Sequence, residues 1–241
     1  MAKIIHRGID RGTADHGWLQ ANFSFSFAHY FNKEKVNFGA LRVLNDDIIA
    51  AGIGFGTHPH DNMEIISIPL KGTLKHKDSM SNEWIPLHTG EVQVMSAGKG
   101  IQHSEMNNSS SDEVNLFQIW IIPQKQDVEP RYDQKGFNSI ERVNKLQVLV
   151  SSINDTDHTN SLKIHQDAKI SRIDLSANSK FEYSLKSKNH GVFVMNITGE
   201  VEIETEKLNK RDALALSEIS SFEINSTKNS ELLFIEVPMQ F

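Results

Sequence analysis

Apolar residues along this chain come in short alternating or unbroken runs, separated by Gly, Asn, Asp and Ser about every 8 to 12 residues, the spacing of an antiparallel sandwich or barrel. Residues 22–30 alternate most clearly, with Phe23, Phe25 and Phe27 on one face and Ser24 and Ser26 on the other. Aromatics at a period of two read as sandwich core. Asn45-Asp46-Asp47 lies between Leu41-Arg42-Val43-Leu44 and Ile48-Ile49-Ala50, which predicts a hairpin with a polar turn. Runs at 64–70 and 73–77 flank Gly72 in the same way, and runs at 91–95 and 114–122 complete a first set of strands. The stretch 123–139 is polar, contains Pro123, Pro130 and Gly136, and has few residues fit for a buried strand. It marks a boundary between residues 1–132 and 133–241. Strand-like runs then resume at 146–150, 170–175, 191–197, 201–205, 213–216 and 232–237, so the expected fold class is all-β throughout.

A weak internal repeat joins the two halves. Residues 64–75 can be laid on 191–202, and both read strand, Gly turn, strand. In that alignment His58, His60 and Glu64 fall opposite Leu185, Ser187 and Gly191. A duplication in which the second copy lacks paired polar side chains is the economical reading.

Those polar side chains carry the candidate chemistry. His58-Pro59-His60 and His103-Ser104-Glu105 are each spaced i, i+2 in strand-like segments, and side chains two apart in a strand point the same way. Two such strands deliver three imidazoles and a carboxylate to one point. Asn62 and Glu64 continue the parity of His58 and His60. A row of polar residues on an inward face must meet solvent or a ligand, because unpartnered buried polar groups cost about 1 to 3 kcal/mol each. Parity does not rank Glu64 against Glu105 as the fourth donor.

Composition narrows the field around that site. With no cysteine there is no disulfide scaffold, thiolate nucleophile or zinc-cysteine site, so the 11 histidines are the main source of soft-to-borderline metal ligands. A net charge of −6 lacks the basic footprint of nucleic-acid binding, and acidic charge suits protein partners as well as a small-molecule enzyme. No apolar run reaches the roughly 20 residues that span a bilayer, and the N-terminus has no secretory pattern, so the expectation is a cytoplasmic protein without a membrane partner. No Gly-x-Ser-x-Gly elbow, phosphate loop, dinucleotide fingerprint or His-Glu-x-x-His helix occurs.

From Gly52 the chain reads Gly, five residues, His58, one residue, His60, three residues, Glu64, seven residues, Gly72, which resembles the first cupin motif with one extra residue before its last Gly. From Gly90 it reads Gly, five residues, Ser96-Ala97-Gly98, four residues, His103, three residues, Asn107, which resembles the second motif. Ser96 replaces the usual Pro, and the spacing before His103 is two residues longer. With those departures, the chain is similar to the bacterial members of the pirin family. It shares His16-Gly17-Trp18-Leu19, Leu41-Arg42-Val43-Leu44-Asn45-Asp46-Asp47, Gly54-Phe55-Gly56-Thr57-His58-Pro59-His60, Met95-Ser96-Ala97-Gly98 and Gly100-Ile101-Gln102-His103-Ser104-Glu105.

The resemblance implies a bicupin of two tandem jelly-roll barrels, with the metal held only in the first half. It implies His58, His60, His103 and Glu105 as the ligands of one divalent transition metal. Fe(II) is the expected ion, and imidazole with carboxylate also accepts Zn, Mn, Co, Ni or Cu. Such a site carries a charge of +1 and, if octahedral, leaves two open positions, which favours catalysis over a closed structural ion. The implied activity is that of a quercetin 2,3-dioxygenase acting on a flavonol and O2, with Glu105 as the catalytic proton acceptor and Glu64 supporting a ligating imidazole. The alternatives are a metal-dependent regulatory binding protein working through protein partners, and a cupin enzyme with another small-molecule substrate. A duplicated barrel can act alone, and a monomer is expected.

Overall fold

In a computed structural model describing residues 1–241, strands make up nearly all the regular structure. The first half holds β1 (Ala2–His6), β2 (Gly12–Asp15), β3 (Leu19–Phe23), β4 (Leu41–Ile49), β5 (Gly54–His60), β6 (Glu64–Lys71), β7 (Thr73–Asp78), β8 (Ile85–His88), β9 (Glu91–Ser96), β10 (Ile101–Asn107), β11 (Val114–Ile121) and β12 (Arg131–Gly136). The second half holds β13 (Gln147–Ser152), β14 (Leu162–Ile164), β15 (Lys169–Leu175), β16 (Lys180–Ser184), β17 (His190–Thr198), β18 (Val201–Ile203), β19 (Glu206–Leu208), β20 (Ala213–Ser217), β21 (Ser221–Ser226) and β22 (Ser230–Pro238).

One arrangement occurs twice: a seven-stranded sheet covered by a four-stranded one. In the first, the order β12-β9-β6-β11-β4-β3-β2 is covered by β5-β10-β7-β8; in the second, β1-β20-β17-β22-β15-β13-β14 is covered by β16-β21-β18-β19. Each pair of sheets encloses apolar side chains from both its members, Leu19, Ile49, Leu74 and Leu87 in the first and Tyr183, Val194, Ile203 and Phe234 in the second. The two tandem barrels expected of a bicupin are therefore present. The turns aligned in the internal repeat are also equivalent: Gly72 and Gly199 sit between β6 and β7 and between β17 and β18, at φ +80° and +86°, where a side chain would be strained.

The largest core lies between the barrels. It comprises 27 buried residues drawn from both seven-stranded sheets, including Phe25, Phe38, Phe117, Phe193 and Ile235. The ends of the chain interlock across it: β1 pairs with β20 of the second half, and the Pro238 carbonyl accepts the Ala40 amide at 3.0 Å. β12 adds to β9 at the edge of the first sheet, so the polar stretch 123–139 contains a strand, half-buried along most of its length. No helix is long and apolar enough to cross a membrane.

Two local expectations are corrected. Asn45-Asp46-Asp47 is no hairpin turn, because β4 runs unbroken through it between β3 and β11. Asp46 is tolerated there because it meets Arg11 at 3.3 Å, Arg211 at 2.9 Å and the Asn115 amide at 2.9 Å, which supply the compensation a buried carboxylate needs. The phenylalanine row does not share one face either. β3 ends at Phe23, and the chain then turns so that Phe25 enters the core between the barrels, while Phe23 and Phe27 stay with the first barrel.

His6 tests this interlocking. Its ring packs against Phe25 and Phe193 at centroid distances of 5.8 and 5.0 Å, and burial, assisted by the Lys35 charge, pushes its pKa down to about 4. A neutral native ring and an unfolded ring that protonates near 6.5 mean that the unfolded state binds the extra proton in acid. This contribution is intact above about pH 6.5 and falls by roughly 1.4 kcal/mol per pH unit down to about 4. Urea denaturation of wild type and His6→Leu across that window should show the slope in wild type and its reduction by this amount in the variant. Identical pH profiles would contradict the buried neutral ring.

Candidate metal centre

Alternation along β10 buries Ile101, His103, Glu105 and Asn107 and leaves the residues between them more open. β10 lies between β5 and β7, and the register sets His103 opposite both His58 and Asp78, and Glu105 opposite His76. Three strands of the small sheet thus turn polar side chains into the first barrel. β5 approaches β10 so closely that a Cβ at Gly54 would collide with the Glu105 carbonyl, which accounts for glycine there.

His58, His60 and His103 converge, with donor nitrogens all within 4.8 Å of one another and ring centroids 4.4 to 4.9 Å apart. Burial, with the neighbouring rings, pushes His60 down to about 4 and His103 down to about 2, so both are neutral near pH 7. Local bonds set which nitrogen carries the proton. His58 Nδ1 lies 2.8 Å from the Gly56 carbonyl and donates to it, leaving Nε2 bare. The Asp78 carboxylate, which also accepts the Met80 and Ser81 amides, takes the Nε2 proton of His76 at 3.1 Å. The Nδ1 of His76 then accepts from His103 Nδ1 at 3.4 Å, and His103 is left with a bare Nε2. The two bare Nε2 atoms are 2.9 Å apart. Lone pairs at that separation repel unless a cation lies between them, so the donor set fits a single divalent metal ion.

Glu105 belongs to a second group, with His76 and His103, whose donor atoms also lie within 4.8 Å of one another. Gln118 Nε2 donates to one carboxylate oxygen at 2.6 Å and Ser67 Oγ to the other at 3.2 Å, and burial pushes the carboxyl up to about 7 despite these bonds. Glu64 does not share the face of His58 and His60. Asn62, at φ +43°, breaks the strand, and Glu64 begins β6 in the other sheet, where it accepts from Ser96 Oγ at 2.7 Å and meets the backbone of His165. The sequence reading missed His76 and Asp78, although His76-Lys77-Asp78 repeats the i, i+2 spacing of the pairs it did find.

A cavity of about 890 Å³ opens beside the three imidazoles. Phe23, Phe27, Phe55 and Trp120 line it, with Glu105 and Gln118 at the polar side, and the Trp120 ring stands edge-on to His60 at 4.9 Å. Phe23 and Phe27, read from the sequence as sandwich core, pack in the first barrel's apolar cluster and also form cavity wall together with Trp120. The interior of the second barrel is filled by side chains instead. Tyr183 stacks on Phe234 at 4.7 Å and on Phe222 at 5.5 Å, and a 14-residue apolar core fills the interior.

Comparison with known proteins agrees with this architecture. Residues 6–121 match the Pirin family model and residues 149–237 the quercetinase C-terminal cupin domain. The chain is 40% identical over 235 residues to quercetin 2,3-dioxygenase of Escherichia coli strain K12, covering 97% of this chain and 98% of the relative. It is 37% identical to a pirin-like protein of Caulobacter vibrioides, covering 93% and 95%. A crystal structure of the bacterial pirin YhhW from Escherichia coli in complex with nickel(II) superposes with a TM-score of 0.90 at 38% identity, covering 98% of this chain and 99% of that one.

The Asp78, His76, His103 chain makes a prediction about metal affinity. Asp78→Asn and His76→Ala each free His103 to take the other tautomer and should weaken metal binding by about 10- to 100-fold. Competition against a chromophoric chelator measures this, with circular dichroism as the check on folding. Folded variants of undiminished affinity would show that the chain does not orient His103.

Proposed function

The chain belongs to the pirin family, and from that premise we propose that it is a metal-dependent dioxygenase of the quercetin 2,3-dioxygenase type, cleaving flavonols with O2 in the cytoplasm as a monomer. The observation that carries this reading is the apolar, aromatic-walled cavity that ends at three convergent imidazoles. In this reading His58, His60, His103 and Glu105 hold the ion, and Fe(II) is that ion. The nickel(II) of the Escherichia coli relative is compatible with a donor set that accepts several first-row metals.

When bound, the ion supplies Lewis acidity toward a phenolic oxygen and an electron route to O2. The protein supplies the rest. Phe23, Phe27 and Trp120 form a slot for a planar ring system and exclude water from it. Glu105 takes the proton of the flavonol 3-hydroxyl. Ser67 and Gln118 donate to its two oxygens and hold the carboxylate in place at the polar side of the slot, where it can take up a proton and return it. Glu64 points away and takes no part. Oxygen then adds at C2 and C4 of the flavonol, and C3 leaves as carbon monoxide.

The protein loaded with Fe(II) should contain close to one ion per chain and release carbon monoxide from quercetin in air but not under anaerobic conditions. Failure of the wild-type protein to take up metal would remove the site, and full loading without carbon monoxide would remove the dioxygenase. His58→Ala, His60→Ala and His103→Ala should each abolish stoichiometric metal, as read by elemental analysis. Glu105→Gln should instead lower kcat by about 10²- to 10⁴-fold with most of the metal retained. A Glu105→Gln enzyme of normal kcat would exclude Glu105 as the proton acceptor.

A further inference from the structure

β4 presents opposite chemistry on its two faces at consecutive residues. Asp46 points toward the second half and is bound by Arg11, Arg211 and Asn115. Asn45 and Asp47, on the alternate face, line the cavity, and each is only 4% exposed. The Oδ1 of each has no hydrogen-bond partner in the protein. Asn45 is the cross-strand neighbour of Gln118, and Asp47 that of Leu116. A polar strip therefore leaves Glu105 through Gln118 and continues along β4, across a wall that is otherwise aromatic and aliphatic.

A buried polar oxygen without a partner is costly, and an apolar residue of similar shape would remove that cost. Asn45 and Asp47 have no role in packing that requires their polarity, and the groups they face are those of the cavity. We infer that Asn45 and Asp47 form a recognition subsite for the hydroxyl groups of a polyphenolic substrate, on the part of the molecule that does not bind the metal. This rests on the flavonol reading of the cavity and adds to it a basis for choosing among planar aromatic compounds. Burial, with the charges of Asp46 and Glu105, pushes Asp47 up to about 8, so it offers both a donor and an acceptor near pH 7. A phenolic hydroxyl matches that pair. A site built to bond a hydroxyl rejects an analogue lacking it, because the analogue leaves the protein's polar atoms unpaired.

The experiment compares quercetin with 3-hydroxyflavone, which keeps the flavonol 3-hydroxyl and lacks the ring hydroxyls. Steady-state kinetics of the metal-loaded protein give kcat/KM for both, and quenching of tryptophan fluorescence gives both dissociation constants without requiring turnover. Wild type should favour quercetin at least tenfold in affinity. Asp47→Leu should bring that ratio toward one, chiefly through KM, while Asp47→Asn retains part of it. The thermal midpoint of Asp47→Leu should equal or exceed that of wild type, which a structural role for the carboxyl would not allow. Preference without turnover would sustain the subsite and remove the dioxygenase reading. No binding preference in wild type, or an equal loss for both compounds in Asp47→Leu, would overturn the subsite even in an active enzyme.

Discussion

The Gly56 carbonyl and the Asp78 carboxylate decide where the protons of the imidazoles lie, and the site depends on that decision. A neutral imidazole has one donor and one acceptor nitrogen, and it binds a metal only through the acceptor. Inside a barrel the choice cannot be left to solvent. His58 gives its Nδ1 proton to the loop beside it, and His103 gives its own to His76, which is held in turn by Asp78. Burial keeps His60 and His103 from taking a second proton. The outcome is a pocket of bare nitrogens, unfavourable by itself and compensated when a cation enters.

Such a pocket weakens the barrel that contains it, and the rest of the fold supplies the cohesion. The apolar clusters of the first barrel hold 8 and 4 buried residues, against 14 in the second barrel and 27 between the two. Burial of each large apolar side chain contributes about 1.5 to 3 kcal/mol, so most of the hydrophobic stabilisation lies outside the interior of the barrel that holds the imidazole cluster. This distribution gives the second barrel a physical role. Its interior is closed by Tyr183, Phe222 and Phe234, and its seven-stranded sheet is the floor on which the first barrel rests.

The sequence reading was most accurate where local periodicity governs structure. Parity along two strands is enough to direct His58 with His60 and His103 with Glu105, and strand and turn alternation is enough for an all-β chain, while the tandem barrels follow from the family resemblance. It fails where a conclusion depends on distant partners. Glu64 was counted on the face of His58 by continuing the period through Asn62, whose positive φ ends one sheet before the next begins. Asp46 and Asp47 resembled a turn because charge inside a central strand is rare, and the residues that permit it at Asp46, namely Arg11 and Arg211, lie far away in sequence. His76 carried the right local signal, but it sits between two lysines, and only the register with β10 places it behind His103.

Arg211 connects these observations. It comes from the second half, reaches across the interface to Asp46 at 2.9 Å, and also donates to the side-chain Oδ1 of Asn115 on β11 at 3.0 Å. Asp46 adjoins Asn45 and Asp47 on the same strand, so a contact made by the second barrel fixes the height and rotation of the residues that form the polar strip of the first. A strand cannot rotate one residue without turning its neighbours to the opposite face. The second barrel thus acts on the cavity through the backbone of β4. The copy without the imidazole cluster serves as a scaffold, and the ion pair across the interface is the means by which that scaffold holds the site.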